Sequence, residues 1–332
     1  MTMSGDAGAM TIESTEEVVA EVAGLTPRQL AWQRFRRDRV AVAGAYVVLF
    51  FVFVAVAAPI IVKILGVDPF ELDRRALNEY GLPKGRFGGV SWNHPLGVEP
   101  GTGRDLLGRL IYGARISLLV GFIGTLLTTA LGLILGLVAG LRRGFVDSLI
   151  TRLADVTLAF PSLLLIISLS RPMTQRLESW GIPEGNTARL TYIVFVLAVF
   201  GWVYMARLIR GQVLSLRERE FIEAARSFGA SNSHLVFKQL LPNLWSQVIV
   251  FVTLSLPGYV AVEATLSFLG VGLIAPAPSW GIMLGDSVRY YRVDPTYLVI
   301  PGLVLMILVM AFNLMGDGLR DAFDPKSDRH LL

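Results

Sequence analysis

The sequence contains no cysteine, and only three of its 332 residues are histidine. The absence of cysteine excludes disulfides, thiolate metal sites and cysteine nucleophiles. His94, His234 and His330 are too scattered to form a metal site or a catalytic triad by sequence pattern. The nucleotide-binding GxxxxGK[ST], nucleophile-elbow GxSxG and zinc-binding HExxH motifs are also missing. The sequence therefore predicts no catalysis, metal or ATP binding by this chain itself.

Charged residues are scarce, at 17% against 53% hydrophobic residues, and the formal net charge is only +4. The mean hydropathy of +0.58 favours an integral membrane protein. Lysine is especially rare, and no basic stripe with interleaved aromatic residues indicates nucleic-acid binding. The basic residues are therefore expected to set the membrane topology.

Six apolar runs predict an all-α protein with six transmembrane helices. The predicted spans are residues 39–62, 116–141, 149–169, 190–209, 248–273 and 297–314. Residues 1–38 form an N-terminal tail, 63–112 an outer loop, 113–318 a five-helix core and 319–332 a second tail. Arginines cluster directly before the first span, which usually decides orientation, so both termini are predicted to be cytoplasmic.

The second predicted span carries a small residue at every fourth position. These residues are Gly124, Thr128, Gly132, Gly136 and Gly140. They form one flat ridge along a helix, and such a ridge lets another helix approach closely. We predict that this span is a packing helix, with a substrate-facing role as the alternative.

Two intramembrane carboxylates, Asp155 and Glu263, are candidate functional residues because charge is costly inside a membrane. Asp155 lies one turn from Arg152 in a span that Pro161 should kink, and we favour a structural ion pair there. Glu263 has no such neighbour and must face protein or water. The expectation is a paired or hydrated carboxylate inside the assembly.

Residues 215–242 form a polar island between two apolar runs. Ser215 and Glu218 fit a capping box, which predicts that a helix begins there. Gly229 suits the left-handed residue that ends a helix. A second helix should begin near Ser231 or Ser233 and stop before the proline at 242.

Each of the two predicted helices has an apolar face. Its members are Phe221, Ala224, Ala225 and Phe228 in the first helix, and Val236, Phe237, Leu240 and Leu241 in the second. Two short amphipathic helices at an angle make a compact knob suited to a groove on another protein. The alternative is an ordinary surface helix-turn-helix.

The run Glu223-Ala224-Ala225, followed by Gly229 and then Leu241-Pro242, resembles the EAA loop of bacterial ABC-importer permeases. In that family the loop is a coupling helix that sits in a cleft of the ATPase. The coupling residues that the resemblance implies are Glu223, Ala224, Ala225, Gly229, Phe237, Leu241 and Pro242.

Four segments resemble the dipeptide and oligopeptide importers. On the predicted outer side they are Gly103-Arg104-Asp105, Gly113-Ala114-Arg115 and Pro276-Ala277-Pro278-Ser279-Trp280-Gly281, and on the predicted cytoplasmic side the Asp317–Pro325 tail. Val98-Glu99 departs from the Thr-Asp usual in that group. An outer gate or a contact with a binding protein is predicted at Arg104, Asp105, Pro278, Trp280 and Gly281. Tying the outer loops together is the alternative.

The resemblance implies a type I ABC importer permease fold in a bacterial inner membrane. It implies a second permease chain, two ATPases that bind ATP and Mg, a substrate-binding protein and membrane lipid as partners. Di- or oligopeptides are the expected cargo, with nickel, glutathione or sugars as alternatives. From other classes, an ion-coupled secondary transporter and a membrane-embedded enzyme also stay open.

Overall fold

A computed structural model describes residues 27–142 and 144–323, and this part of the chain is helical with no β-strand. The helices are α1 Pro27–Arg37, α2 Arg39–Leu65, α3 Leu106–Leu141, α4 Phe145–Ala159, α5 Ser162–Ser179, α6 Asn186–Leu216, α7 Glu220–Ser227, α8 Asn232–Phe268, α9 Trp280–Ser287 and α10 Thr296–Phe323. Residues 1–26 and 324–332, which include most of both predicted tails, lie outside this description.

Helices α2, α3, α6, α8 and α10 are each long and apolar enough to cross a membrane, whereas α4 and α5 are bent by 86° at their junction. At one end of the bundle, the end of α3 is bonded to the end of α6, because the Arg217 guanidinium donates to the Gly140 carbonyl. At the opposite end, Asn186 at the start of α6 bonds to Ile274. The chain between α3 and α6 must therefore pass from one end to the other, so α4 and α5 together form the sixth crossing.

The six-span, all-α prediction is confirmed, but the third span is broken and not merely kinked. Helix α4 stops at Ala159, and Pro161 occupies the position before α5. Proline has no N–H to donate and disfavours a helical conformation in the residue before it, which here is Phe160. Phe160 is extended, with ψ 137°. The predicted continuous helix over 149–169 is thus replaced by two helices.

Two ends of the bundle can now be distinguished. The coupling end holds α1, the ends of α3 and α6, α7 and the end of α10. Here Ala31 and Phe35 of α1 pack in one buried cluster with Ala322 of α10. The loop end holds residues 66–105 and α9. The sequence assigned residues 319–332 to a tail, yet residues 319–323 are the last turn of α10.

The small residues of α3 face α6 along its length, which confirms the predicted packing helix. A Cβ added at Gly132 would lie 2.5 Å from the Met205 Cβ, and one added at Gly136 would lie 2.7 Å from the Ala206 carbonyl oxygen. The Thr128 hydroxyl donates to the Leu197 carbonyl at 3.1 Å. The two backbones approach so closely that a larger side chain on this ridge would force them apart.

Helix α3 begins at Leu106, well before the predicted start of the span, because Asp105 caps it. The Asp105 side chain accepts the Gly108 N–H at 2.7 Å. The predicted loop over residues 63–112 therefore ends at Asp105.

Candidate functional site

Helix α7 is the first helix of the coupling segment, defined here as residues 217–242, and Gly229 ends it as predicted. Gly229 is left-handed, with φ +80°. Its N–H donates to the Arg226 carbonyl at 2.9 Å, and the Ala230 N–H donates to the Ala225 carbonyl at 3.0 Å. These two bonds form a Schellman motif, which satisfies carbonyls that the helix end would otherwise leave unpaired.

The predicted capping box at Ser215 and Glu218 is wrong. Ser215 lies inside α6, which runs on to Leu216, and Arg219 occupies the N-cap position of α7 without a side-chain bond. Helix α6 extends because Val213, near its end, is fully buried in the bundle. Tertiary burial therefore overrides the local capping signal.

The second predicted helix begins where expected but does not stop before Pro242. Ser231 caps it by accepting the His234 N–H at 3.3 Å. A π-helical turn over Leu235–Leu240 then leads into the span, and Pro242 lies in the first turn of the α-helical part, which needs no N–H donor there. The start of α8 is thus one continuous helix with the membrane span.

The apolar faces of the coupling segment point in two directions. Ile222, Leu235 and Leu240 are buried and pack with Ile209 and Val213 of α6. The sequence had not singled out Ile222, although its apolar character beside the EAA run was a usable signal. These contacts fix the segment to the bundle.

Large aromatic side chains of the coupling segment point outward. The exposed fractions are 92% for Phe228, 66% for Phe237 and 41% for Phe221. Of the other predicted coupling residues, Glu223, Ala224, Gly229 and Pro242 are exposed, and Ala225 and Leu241 are partly buried. Exposed aromatic groups around a rigid turn are typical of a surface that another protein covers.

At the loop end, Asp105 is buried and links the cap of α3 to the loop. The His94 Nδ1 lies 2.9 Å from Asp105, and its Nε2 lies 3.4 Å from Asp73. Partial burial raises the pKa of Asp73, but hydrogen bonds from the Arg75 backbone, the His94 ring and the Ala76 backbone outweigh it and leave this pKa lowered. Asp105 therefore serves as a structural junction.

A second charged cluster at this end is centred on Glu99. Glu99 accepts the Tyr297 hydroxyl at 2.5 Å and lies 3.4 Å from the Arg109 Nε and 3.6 Å from Arg104. The fully buried Arg109 also donates to the Pro276 carbonyl at 3.2 Å. The cluster joins the loop, α3, α10 and the segment before α9. The sequence analysis had not predicted that Glu99 and Arg109 hold these elements together.

The motif before α9 is packed inside the bundle. Pro278 and Trp280 are buried, and the Trp280 Nε1–H donates to the Leu110 carbonyl at 3.0 Å. A Cβ added at Gly281 would lie 2.3 Å from the Ala264 carbonyl oxygen. In this conformation these residues offer no surface to a soluble partner. Their burial favours the alternative that the motif ties the outer loops together.

Glu263 is fully buried in α8 and is held by three serine hydroxyls. Ser117 of α3 donates at 2.8 Å, while Ser267 of α8 and Ser279, the N-cap of α9, each donate at 2.9 Å. No arginine, lysine or histidine of the described residues is within salt-bridge distance of this carboxylate. The carboxylate therefore holds three elements together through hydrogen bonds.

Asp155 pairs with a residue on another helix, not with Arg152. Its Oδ1 lies 2.6 Å from Arg207 of α6, and both side chains are about half exposed. Asp147 of α4 makes a two-pronged contact with Arg210 of α6 in the same way. The predicted local pair at residues 152 and 155 is wrong because the approach of α6 supplies a better-placed arginine.

Six crossings, a coupling segment with an outward aromatic surface and an interlocked loop end together define a multi-pass membrane protein. A family profile described as "Binding-protein-dependent transport system inner membrane component" matches residues 132–329. A second, described as "N-terminal TM domain of oligopeptide transport permease C", matches residues 26–79. The chain belongs to this family of binding-protein-dependent transport permeases.

Two relatives extend over nearly the whole chain. The dipeptide transport system permease protein DppC of Bacillus subtilis is 36% identical over 311 residues, 92% of this chain and 88% of that protein. The glutathione transport system permease protein GsiD of Pectobacterium atrosepticum is 36% identical over 313 residues, 94% of this chain and 96% of that protein.

An inward-facing structure of the MetNI methionine ABC transporter has the same fold, with a TM-score of 0.52 at 20% identity, over 66% of this chain and 98% of that chain. The chain is thus the transport subunit of an ABC importer with a type I permease fold, and is not itself an enzyme. ATP hydrolysis resides in partner subunits, and a substrate-binding protein is the other kind of partner.

Proposed function

We propose that this subunit and a second, homologous permease chain form a translocation path driven by two ATPase subunits. The observation that carries the proposal is the outward surface of Phe221, Phe228 and Phe237 on a segment anchored from behind by Ile222. Aromatic side chains at the centre of a rigid surface are common sites of strong protein–protein contact. Docked in a cleft of an ATPase that binds ATP and Mg, the segment would act as a lever.

The proposed orientation places the coupling end in the cytoplasm and the loop end outside a bacterial inner membrane. The arginines around the start of α2 support this orientation, because basic residues are retained on the cytoplasmic side. Both termini are then cytoplasmic, and the loop end faces the binding protein. At the loop end we retain an outer-gate candidate that acts through its packing and does not contact the binding protein directly. Its residues are Arg104, Asp105, Pro278, Trp280 and Gly281.

Orientation and docking can be tested together, since the chain has no cysteine of its own. Trp92→Cys lies on the loop end and is fully exposed, and Phe228→Cys lies on the coupling end. In intact cells, a membrane-impermeant maleimide should label Trp92→Cys and spare Phe228→Cys. In inverted vesicles, a short thiol-to-amine crosslinker should join Phe228→Cys, but not Trp92→Cys, to an ATPase subunit. Labelling from the opposite side, or crosslinking to the ATPase through residue 92, would contradict the proposal.

Small peptides are the proposed cargo. Both relatives described above are named for peptide cargo, since glutathione is a tripeptide, and each aligns with this chain almost end to end. In such systems the binding protein supplies most of the affinity, so the permease requires only a path for a short, flexible and polar molecule.

We expect cells that carry the full complex to accumulate a radiolabelled dipeptide in an ATP-dependent manner. Excess unlabelled tripeptide should compete, while nickel and a disaccharide should not. Uptake should persist when the proton gradient is collapsed but ATP is maintained. Uptake that follows the ion gradient would instead identify a secondary transporter, and competition by nickel or sugar alone would overturn the peptide assignment.

A further inference from the structure

Helix α4 is joined to α6 by two aspartate–arginine pairs of unequal quality. Both carboxylate oxygens of Asp147 accept from Arg210, at 2.5 and 2.7 Å, and these side chains are 20% and 35% exposed. Asp155 accepts a single bond from Arg207 at 2.6 Å, with 60% and 49% exposure. A two-pronged contact fixes orientation as well as distance, so the Asp147–Arg210 pair defines the relation of the two helices more tightly.

Besides the two ion pairs, a small apolar patch attaches α4 to the bundle, where Ile150 and Ala154 pack in one cluster with Ala139 of α3 and Ala206 of α6. Only Ile150 and Ala154 of this helix are buried. A cavity of about 200 Å³ lies between α4 and α6, and its lining includes Trp202 of α6 and Ala139 of α3. Within lipid, apolar surfaces gain little by leaving the hydrocarbon, so a patch this small gives only weak attachment. The two ion pairs and this small patch together set the position of α4.

The other side of α6 is packed against the coupling segment. Ile209 and Val213 of α6 share one buried cluster with Ile222 of α7 and Leu235 of α8. Arg210 lies between Ile209 and Val213 along the same helix, so it is part of this packed unit. A displacement of the coupling segment therefore displaces the guanidinium that holds Asp147.

We propose that the Asp147–Arg210 pair is the joint that transmits movement of the coupling segment to α4, the first half of the broken span. Both are positioning residues: they touch neither cargo nor nucleotide, and act by making α4 follow α6 during the transport cycle. This inference rests on the proposed function, because it takes the coupling segment as the element that the ATPase moves.

Distances between spin labels test the joint while Asp147 and Arg210 are both left unchanged. With cysteine-depleted partner subunits, labels at Ser148→Cys in α4 and Ser215→Cys in α6 should keep their distance when ATP and vanadate are added. Labels at Val40→Cys in α2 and Ser215→Cys should change their distance, because α2 is not part of the unit formed by α4, α6 and the coupling segment. A changed distance between residues 148 and 215 overturns the joint. No change between residues 40 and 215 contradicts the proposed function itself.

Substitution of the arginines separates a joint from simple packing. Arg210→Gln should lower the transport obtained per ATP hydrolysed by about tenfold, within the usual range of coupling between sites. Arg210→Lys keeps the charge but loses the planar fork and should give an intermediate ratio. Arg207→Gln is the matched control, the same change on the same helix at the more exposed pair, and should have the smaller effect. An unchanged ratio in Arg210→Gln, or an equal loss in Arg207→Gln, overturns the assignment. If Arg210→Gln fails to assemble, the proposal is tested by the distance between residues 148 and 215, measured with Asp147 and Arg210 intact.

Discussion

Replacement of Glu263 by leucine is expected to destabilise the assembled permease severely, whereas glutamine should be tolerated. The carboxylate accepts bonds from Ser117, Ser267 and Ser279, which are all buried. Leucine leaves these hydroxyls without an acceptor, and each unsatisfied buried group costs about 1–3 kcal/mol. Glutamine keeps an acceptor for two serines, and Ser117 can accept from its amide.

The measurement is the thermal stability and the yield of the purified complex, followed by transport in proteoliposomes. Ser117→Ala in the Glu263→Leu background supplies a control, because removing both partners of a bond is far less costly than removing one. We expect the double variant to be more stable than Glu263→Leu alone. If leucine and glutamine variants assemble and transport alike, these hydrogen bonds do not hold α3, α8 and α9 together.

Features that depend on the pattern of one helix were predictable from the sequence. The small residues from Gly124 to Gly140 indicated a packing surface, and α6 fills it. Gly229 adopts the left-handed conformation that its position after the EAA run predicted. In each case the physical requirement, close approach or positive φ, acts on the residue itself, so no knowledge of distant parts of the chain was needed.

Features that depend on a partner from elsewhere in the chain were not predictable. Asp155 has an arginine one turn away in sequence, yet α6 brings Arg207 closer. Trp280 lies in a loop motif that suggested exposure, but its indole N–H reaches the Leu110 carbonyl of α3. Such contacts require the packing of several helices, which no single segment encodes.

Gly229→Leu is expected to abolish the stimulation of ATPase activity by the loaded binding protein, while the complex stays assembled in the membrane. With φ at +80°, Gly229 occupies a conformation that costs a residue with a side chain about 1–2 kcal/mol. No atom lies within 4 Å of an added Cβ, so the substitution creates strain without a steric clash within the chain. Helix α7 has only eight residues and is marginal without its cap, so it should shift and carry Phe228 out of position.

Two substitutions isolate this effect. Asparagine tolerates the left-handed conformation, so Gly229→Asn should retain most of the stimulation. Gly66→Leu introduces the same kind of strain at the loop end, where Gly66 is left-handed with φ 67° and ψ 23° and no atom lies within 4 Å of an added Cβ, and transport should persist. Because a strain of this size is small beside the stability of a folded domain, complex yield should be unchanged in all three variants. Normal transport by Gly229→Leu, or an equal loss in Gly66→Leu, would show that the coupling segment does not transmit the work of the ATPase.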